Sequence, residues 1–587
     1  MTRRWLPLVA GAALVGAAPA QAEDRPSEEE MFGGPATATT TATGTASGGF
    51  GTDSPPHPAP SASRSPVAAT ATTTTATATT ATTTSARSDT TTPSGGFGTE
   101  ASRSPVAATK AGEDARDQLN LGTPGQAPRF SPEVAPEDPL KIGGQIYLRA
   151  QTSALQDQAA RDWSLSSPSL LDVYMDVRPN DRVRGFVLGR MIFDPTLPDS
   201  ASPNLSLAAG GSQGGFSNGG TASLSSLFGV QATRTPRVLL DQMWLRFDIK
   251  HAVFVTAGRQ HVRWGTARFW TPTDFLHIQH RNPLDVFDAR TGTTMIKLQV
   301  PWEAQGFNFY AYGLTEGADA TPTASQVAGA ARAEMVLGTG EVGAGALVQR
   351  GHKPKLAADF SAGIWDLDFY GEAALRFAQD IDRVRTSGID PSSVTLGPVP
   401  TGSVDQAALT QYLGPAIDAL YPVVLHYRGV KPQVTGGVSY SFQYADKDVF
   451  TLGAEYFYNG LGYSDTAVYP GLILPHSQPL REPATFFYLG RQYVGVFVTM
   501  PAPYSWDNTT FTLSNLANLS DLSGITRLDY SLILLTHLRF EAFGAVHWGK
   551  REGEFRFGMA PTNLGPLPFP GRSPALFDLG VGLRVAI

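Results

Sequence analysis

Residues 577–587 place Phe577, Leu579, Val581, Leu583, Val585 and Ile587 at every second position, with Asp578, Gly580, Gly582, Arg584 and Ala586 between them. Strand side chains point alternately to opposite faces, so this is a strand with one apolar and one mixed face. A sheet built from such strands suits a boundary between two media. A closed barrel with hydrocarbon outside and water inside provides that boundary.

The same alternation recurs upstream. Ile142, Gly144, Ile146 and Leu148 alternate with Lys141, Gln145, Tyr147 and Arg149, and Leu171, Val173, Met175 and Val177 alternate with Asp172, Tyr174, Asp176 and Arg178. Further runs span 183–193, 243–249, 365–377, 434–444 and 538–548. Each run alone is a weak signal; their repetition is the signature of a transmembrane barrel.

Connection lengths support the same reading. Tight turns are predicted at 179–181, 250–251, Pro301, 338–340, 364–366, 445–448, 501–504 and near Thr536. Long connections interleave with them at 151–169, 195–236, 261–291, 315–329, 378–430, 459–484 and 550–574, while two outward links, near Gly351 and at 517–523, are short. The fold class is therefore all-β: an antiparallel up-and-down membrane barrel of about 18 strands, with 16 as the alternative. An even count returns both ends of the barrel to the periplasmic side.

The N-terminus supplies an address. Arg3 and Arg4 precede an apolar stretch at 5–18 and then Ala20-Gln21-Ala22, which reads as an export signal over 1–22 cut after Ala22. From 23 to 139 the chain is rich in Thr, Ala, Ser and Pro, and it repeats SGGFGT and ASRSPVAAT units. With so few large apolar residues it is expected to be a disordered periplasmic tether, spanning roughly 60 Å as a flexible coil. The barrel is assigned to 140–587.

Composition narrows the function classes. The chain has no cysteine, which removes disulfides, thiol nucleophiles and cysteine metal sites. A net charge of −7 over 587 residues argues against a nucleic-acid partner. Charged residues are 17% of the chain, against about 25% in ordinary soluble domains. No stretch long enough for a membrane helix is expected in the mature chain.

The export signal, the alternation from Lys141 onward, aromatics near strand ends (Tyr310, Tyr312, Tyr456 and Tyr458) and the closing C-terminal strand together resemble the bacterial outer-membrane porins and related specific channels. The resemblance covers roughly the last 450 residues and is architectural. It implies an outer-membrane location, contact with the bilayer and the barrel-insertion machinery, and passage of small solutes, with monomer and homotrimer both open. One departure stands out: porin chains typically end in Phe or Trp, and this one ends in Ile587.

The densest polar segment follows a strand and enters a predicted external loop. Arg259, Arg263, Arg268, Asp274, Arg281, Asp285, Asp288 and Arg290 lie on it, with His277 and His280 three residues apart. Folded into the lumen, such a loop can form a constriction with cations facing carboxylates across a narrowed opening. The alternative is a loop that packs its own ion pairs over the mouth. The two histidines lack a third ligand at a fixed spacing, so no metal site and no cofactor are expected.

Strand phase also gives a lumen set. Arg182, Arg184, Arg190, Arg246, Lys297, Arg376, Arg539 and Arg584, with Arg149 and Arg178, supply cations; Asp366, Asp368 and Glu372, with Asp172, Asp176, Asp248, Glu334, Glu455, Glu541 and Asp578, supply anions. Arg182, Arg184 and Arg190 share one parity and suggest either a basic ladder for anions or lumen charges paired with one another. Spacings of three and four through 404–420 predict an amphipathic helix, placed as a lid or on the rim. Ser531, His537 and His547 show no fixed spacing that would make a hydrolase site, and no enzyme is expected. The expected function is passive passage of small polar solutes, an anionic solute being one option. The alternative is a plugged barrel whose loops or tether bind partners.

Overall fold

The computed structural model describes residues 139–587, apart from 197–235, 278–279, 285–289, 316–326, 378–380, 399–405, 425–428, 445–447, 479, 481–484 and 570. The expected export signal and all but the last residue of the expected tether lie outside the described residues.

Eighteen long strands form one antiparallel sheet. In chain order they are β1 (Leu140–Leu155), β2 (Ser169–Asn180), β3 (Val183–Phe193), β4 (Arg237–Ile249), β5 (Val253–Gln260), β6 (Thr293–Trp302), β7 (Phe307–Leu314), β8 (Ala328–Leu337) and β9 (Gly340–Gln349). There follow β10 (Lys355–Ile364), β11 (Leu367–Phe377), β12 (Val430–Gln443), β13 (Val449–Asn459), β14 (Gln492–Pro501), β15 (Thr509–Asn518), β16 (Ser523–Leu535), β17 (Leu538–Gly549) and β18 (Ala575–Ala586). Each pairs with the next in sequence, and β18 pairs back onto β1 from Ala586 opposite Gln145 to Phe577 opposite Ala154. The final residue joins the seam: Ile587 N donates to Gly144 O at 2.9 Å, and Gly144 N donates to Ile587 O at 3.1 Å. Closure leaves no sheet edge, which is what backbone groups need where there is no water to bond them.

The terminal strand has the predicted phase. Leu579, Val581 and Leu583 are 46, 49 and 43% exposed, whereas Asp578 and Arg584 on the inner face are 2 and 8% exposed. The exposed apolar row continues around the wall through Ile146 and Leu148, Val173 and Met175, Met243 and Leu245, Ile296 and Leu298, Leu356 and Phe360, Leu513 and Leu528. In water each Å² of this surface would cost about 25 cal/mol, so the belt is a surface for hydrocarbon.

Aromatics mark the belt's margins. Trp302, Phe307 and Phe309 cluster at the β6–β7 turn, and Tyr440, Phe442, Phe450, Tyr444 and Tyr504 at the β12–β13 and β14–β15 turns. Tyr456 is outward as expected, but Tyr310 and Tyr312 are not part of a girdle. They alternate with outward Phe309 and therefore face the lumen, where they are buried.

The short connections fall close to where turn residues predicted them. Lys250 and His251 take positive φ at one, Trp365 at another. Pro301 does not break β6: it stays paired with Asn308 one residue from the strand's end, where a missing N–H disturbs little of the ladder. The predicted helix is α1 (Gln406–Leu420). Its Leu413, Ile417 and Leu420 pack with Val394 and Leu564 from the long connections 378–429 and 550–574, so the helix is part of a roof of loops.

Leu528→Arg, on the outward face mid-strand, is expected to destabilise the barrel by about 2–4 kcal/mol, the cost of a cation facing the bilayer midplane. Denaturant-dependent refolding into lipid vesicles measures it. A cost near zero would contradict the assignment of that face to lipid.

Candidate constriction site

The connection between β5 and β6 turns inward and crosses the lumen. Its first anchor is made possible by a β-bulge in β4: Leu188 of β3 faces Gln242 while Gly189 faces Leu240, leaving Asp241 unpaired. A bulge puts an extra residue into one strand and re-aims side chains. Here Asp241 and Gln242 are both buried on the inner side. Asp241 receives Arg190 Nη2 at 3.1 Å, His261 Nε2 at 3.0 Å and the Gly292 amide at 3.2 Å, which ties both ends of the connection to the wall.

Past His261 the segment packs apolar side chains on two opposite flanks. Trp264 lies among Tyr312, Tyr310, Leu314, Ala328, Ala330 and Leu347 of β7–β9. Gly345 of β9 makes room for it, since a Cβ there would sit 3.0 Å from the indole ring. Phe269 and Trp270 pack with Phe457, Tyr493, Phe497 and Leu516 of β13–β15, Trp270 stacking on Phe457 with ring centroids 5.7 Å apart.

Between the flanks two lumen carboxylates hold the backbone. Glu372 of β11 accepts the Ala267 amide at 2.7 Å, the Thr273 amide at 3.3 Å and the Thr273 hydroxyl at 2.7 Å. Glu455 of β13 accepts the amides of Arg268 at 2.9 Å, Phe269 at 3.1 Å and Trp270 at 2.8 Å. Gly265 has φ of +95°, and the Glu372 carboxylate occupies the space a Cβ would need. Both the conformation and the close approach call for glycine.

A compact charge group closes the segment. Asp274 receives His277 Nδ1 at 3.0 Å and Arg290 Nη1 at 3.0 Å. Burial alone would raise the Asp274 carboxyl, but the charges of His277 and Arg290 outweigh it and hold it at about 2. Burial, aided by Arg290, lowers His277 against the opposing pull of the Asp274 carboxylate. The His261 and His277 rings lie 5.7 Å apart, and His280 stacks on Tyr488 instead of joining them. No cluster of three metal-ligating side chains forms among the described residues.

The sequence-derived residues divide as follows. Asp274 and Arg290 meet, Arg268 lies over the Phe497 ring at 3.6 Å, and Arg263 donates to Ala267 O. Arg281 belongs to the inserted segment and is partly buried. Asp285 and Asp288 lie outside the described residues. Arg259 differs from expectation: it pairs with Met243 on the outward face of β5 and donates to Leu240 O, because strand phase, not its closeness to the loop, decides its direction.

Wall charges are largely paired with one another. Arg190 meets Asp172 at 2.8 Å, Arg184 meets Asp176 at 3.0 Å, and Arg332 meets Asp359 at 2.7 Å. Arg246 lies over Phe254, and Lys297 and Arg376 are buried on the inner side. Asp368 keeps inner parity near the end of β11. Arg182 and Asp366 are exposed turn residues, so no three-arginine ladder forms: β3 begins one residue after Arg182 and β11 one residue after Asp366. Ser531 pairs with Glu541 and His547 with Ile525 of β16, six residues from Ser531, or about 20 Å along a strand. His547 is instead bonded to Asp578 at 2.7 Å, and His537 lies in the turn at the other end of β17.

An apolar outer belt around a polar, charge-paired interior decides where this protein resides. The chain is an outer-membrane β-barrel. No family model and no curated protein sequence matches it. Among solved structures it is similar to OccAB1 of Acinetobacter baumannii (TM-score 0.41, 10% identity, 76% of this chain and 96% of that one). It is also similar to OprB of Pseudomonas putida (0.37, 8%, 76% and 94%). A third is Wzi of Escherichia coli, a carbohydrate-binding barrel involved in group 1 capsule assembly (0.38, 10%, 75% and 84%). Identities this low speak to no shared solute, and the barrel's description rests on its own strand pairing.

The roof of long connections has its own acidic node. Asp521 Oδ2 accepts Tyr469 OH at 3.0 Å and Asn518 Nδ2 at 2.9 Å, while Glu554 Oε2 accepts Tyr493 OH at 2.6 Å and Asn518 Nδ2 at 2.8 Å. Burial, reinforced by the Asp521 charge, pushes the Glu554 carboxyl up to about 8.

Two outcomes follow from these contacts. Glu455→Ala leaves three amides without their acceptor, each worth about 1–3 kcal/mol when stranded; trypsin cleavage after Arg263 and Arg268 should then rise. Unchanged protection would mean that the carboxylate does not hold the segment. A raised carboxyl stabilises the fold fully below its unfolded value, near 4.5, and that gain is lost as pH rises through about 8. Proteolysis of the 550–574 connection, measured relative to Glu554→Gln, should therefore increase over that window, and a flat ratio would exclude Glu554 as the titrating group.

Proposed function

We propose that the barrel is a selective channel for small polar solutes, narrowed by the inserted 261–292 segment. The observation that carries this reading is the fixing of that segment across the lumen by Glu372 and Glu455. Fixed in this way, it sets the size of whatever space remains beside it, and paired charges on the surrounding wall present both signs to a solute. Of the constriction residues, Arg263, Arg268 and Arg281 are the ones we assign to contact solute; Asp274 and Arg290 neutralise each other and hold the segment's shape.

A second reading has its own support. The apolar packing of Trp264 against β7–β9 and of Trp270 against β13–β15 is that of a plug. On this reading the lumen is sealed and the external loops or the N-terminal segment engage partners.

Conductance of the full-length protein in planar bilayers separates the two. The channel reading expects discrete ion currents that grow when Glu455→Ala loosens the segment. Silence in the native protein with current in the variant supports the plug. Silence in both, with the barrel shown to be folded by its heat-dependent gel mobility, overturns the channel.

A further inference from the structure

A cavity of about 470 Å3 lies where the β2–β3 and β4–β5 turns meet, and Asp181, Arg182, Val183, Phe247, Asp248 and His251 line it. Val183 and Phe247 are direct cross-strand partners at the end of the β3–β4 ladder. By strand phase they share the outward face with Leu245 and Ile249, which are 49 and 50% exposed. The apolar side of the cavity is therefore continuous with the lipid belt. Its polar side holds charge that the barrel leaves unused. The Asp248 side chain is 4% exposed; its Oδ2 accepts the His251 amide at 3.0 Å and lies 3.2 Å from His251 Nδ1, while its Oδ1 is buried without a hydrogen-bond donor. Asp181 and Arg182 are exposed, and their side chains form no hydrogen bond or ion pair among the described residues. Arg182 is held through its backbone alone, its amide donating to Asn180 Oδ1 at 3.0 Å and its carbonyl accepting the Asp248 amide at 3.2 Å. Other charges close by in the chain are engaged elsewhere: Arg178 and Arg184 meet Asp176 at 3.1 and 3.0 Å, and Arg246 lies over the Phe254 ring.

A buried carboxylate oxygen without a donor is costly, and a neighbouring guanidinium and carboxylate that pair with nothing leave both signs of charge on offer. Together with an apolar wall, these groups match an amphiphile with a zwitterionic head. We propose that the cavity binds an aminophospholipid, with its phosphate on Arg182, its primary ammonium on Asp181 and Asp248, and its acyl chains along Val183, Phe247 and the belt beyond them. The guanidinium fork offers two parallel N–H donors to a phosphate, and a primary ammonium carries three N–H donors for carboxylate oxygens. A choline head keeps the charge but has no N–H to give Asp248 Oδ1. A glycerol head has neither charge nor N–H. The cavity is of the size that holds small polar groups, about 300–1,000 Å3. A membrane lipid is favoured over a free solute of the same head chemistry because Val183 and Phe247 continue the outward apolar row. The inference does not depend on whether the lumen conducts.

Native mass spectrometry of the full-length protein in detergent, with equal amounts of phosphatidylethanolamine, phosphatidylcholine and phosphatidylglycerol, tests the site. The ethanolamine lipid should be retained as a single adduct in preference to the other two. Arg182→Gln and Asp248→Asn should each weaken that adduct by roughly three- to tenfold, the loss expected for one hydrogen bond to a charged group. Asp181→Asn, at an exposed turn position that bears no structural contact, should also weaken it and guards against misfolding of the Asp248 variant. Asp507→Asn, the same change at an exposed residue of another short connection, should have no effect. Equal retention of the three lipids, or an adduct that none of the cavity variants alters, overturns the site. Glycerophosphoethanolamine, the same head without chains, separates lipid from free solute: it should displace the lipid only at far higher concentration. Displacement at equal concentration would assign the cavity to a soluble zwitterion and overturn the lipid.

Discussion

Backbone amides that have no water to bond must find an acceptor elsewhere, and that requirement organises this barrel at two levels. In the wall it is met by closure, with β18 laid along β1 and Ile587 bonded to Gly144 in both directions. In the lumen it is met by side chains. The segment that leaves β5 forms no strand among its described residues, so the amides from Ala267 to Trp270 and of Thr273 would be stranded inside the barrel without Glu372 and Glu455. Two carboxylates, placed on the inner face by strand phase, thus do for an irregular segment what the ladder does for the wall.

Much of the wall was legible because strand phase is a local property. Alternation located the belt, the inward charges and the direction of the last strand, and turn residues located the short connections. The helix over 406–420 was legible for the same reason, through its spacing of three and four. Errors arose where position along a strand mattered as well as parity. Arg182 and Asp366 have the parity of lumen residues but fall one residue beyond the strand ends, and Tyr310 and Tyr312 are close to a strand's end but on its inner side.

The contacts of the inserted segment were less accessible because they join residues far apart in the chain. Nothing near Glu455 announces that its partners lie some 185 residues earlier. The glycines and alanines of β8 and β9 read as unremarkable strand filler; for Ala328, Ala330 and Gly345 the small size makes room for Trp264 arriving from elsewhere. A hint was present all the same. Small residues at neighbouring inward positions, Ala328 and Ala330 on one strand and Gly343 and Gly345 on the next, leave space that something else must fill.

The bulge at Asp241 also divides β4 into two phases. Val238 and Leu240 face outward at even numbers, while Met243 and Leu245 face outward at odd numbers, and both pairs stay on the same side only because one residue is left unpaired between them. That residue works as a spacer as much as a ligand. Loss of a single codon at this point would either turn the greasy upper half of the strand into the lumen or swing Gln242, Trp244 and Arg246 toward lipid. Substitution of Asp241 would cost one set of contacts; its deletion would exchange the inside and outside of half a strand.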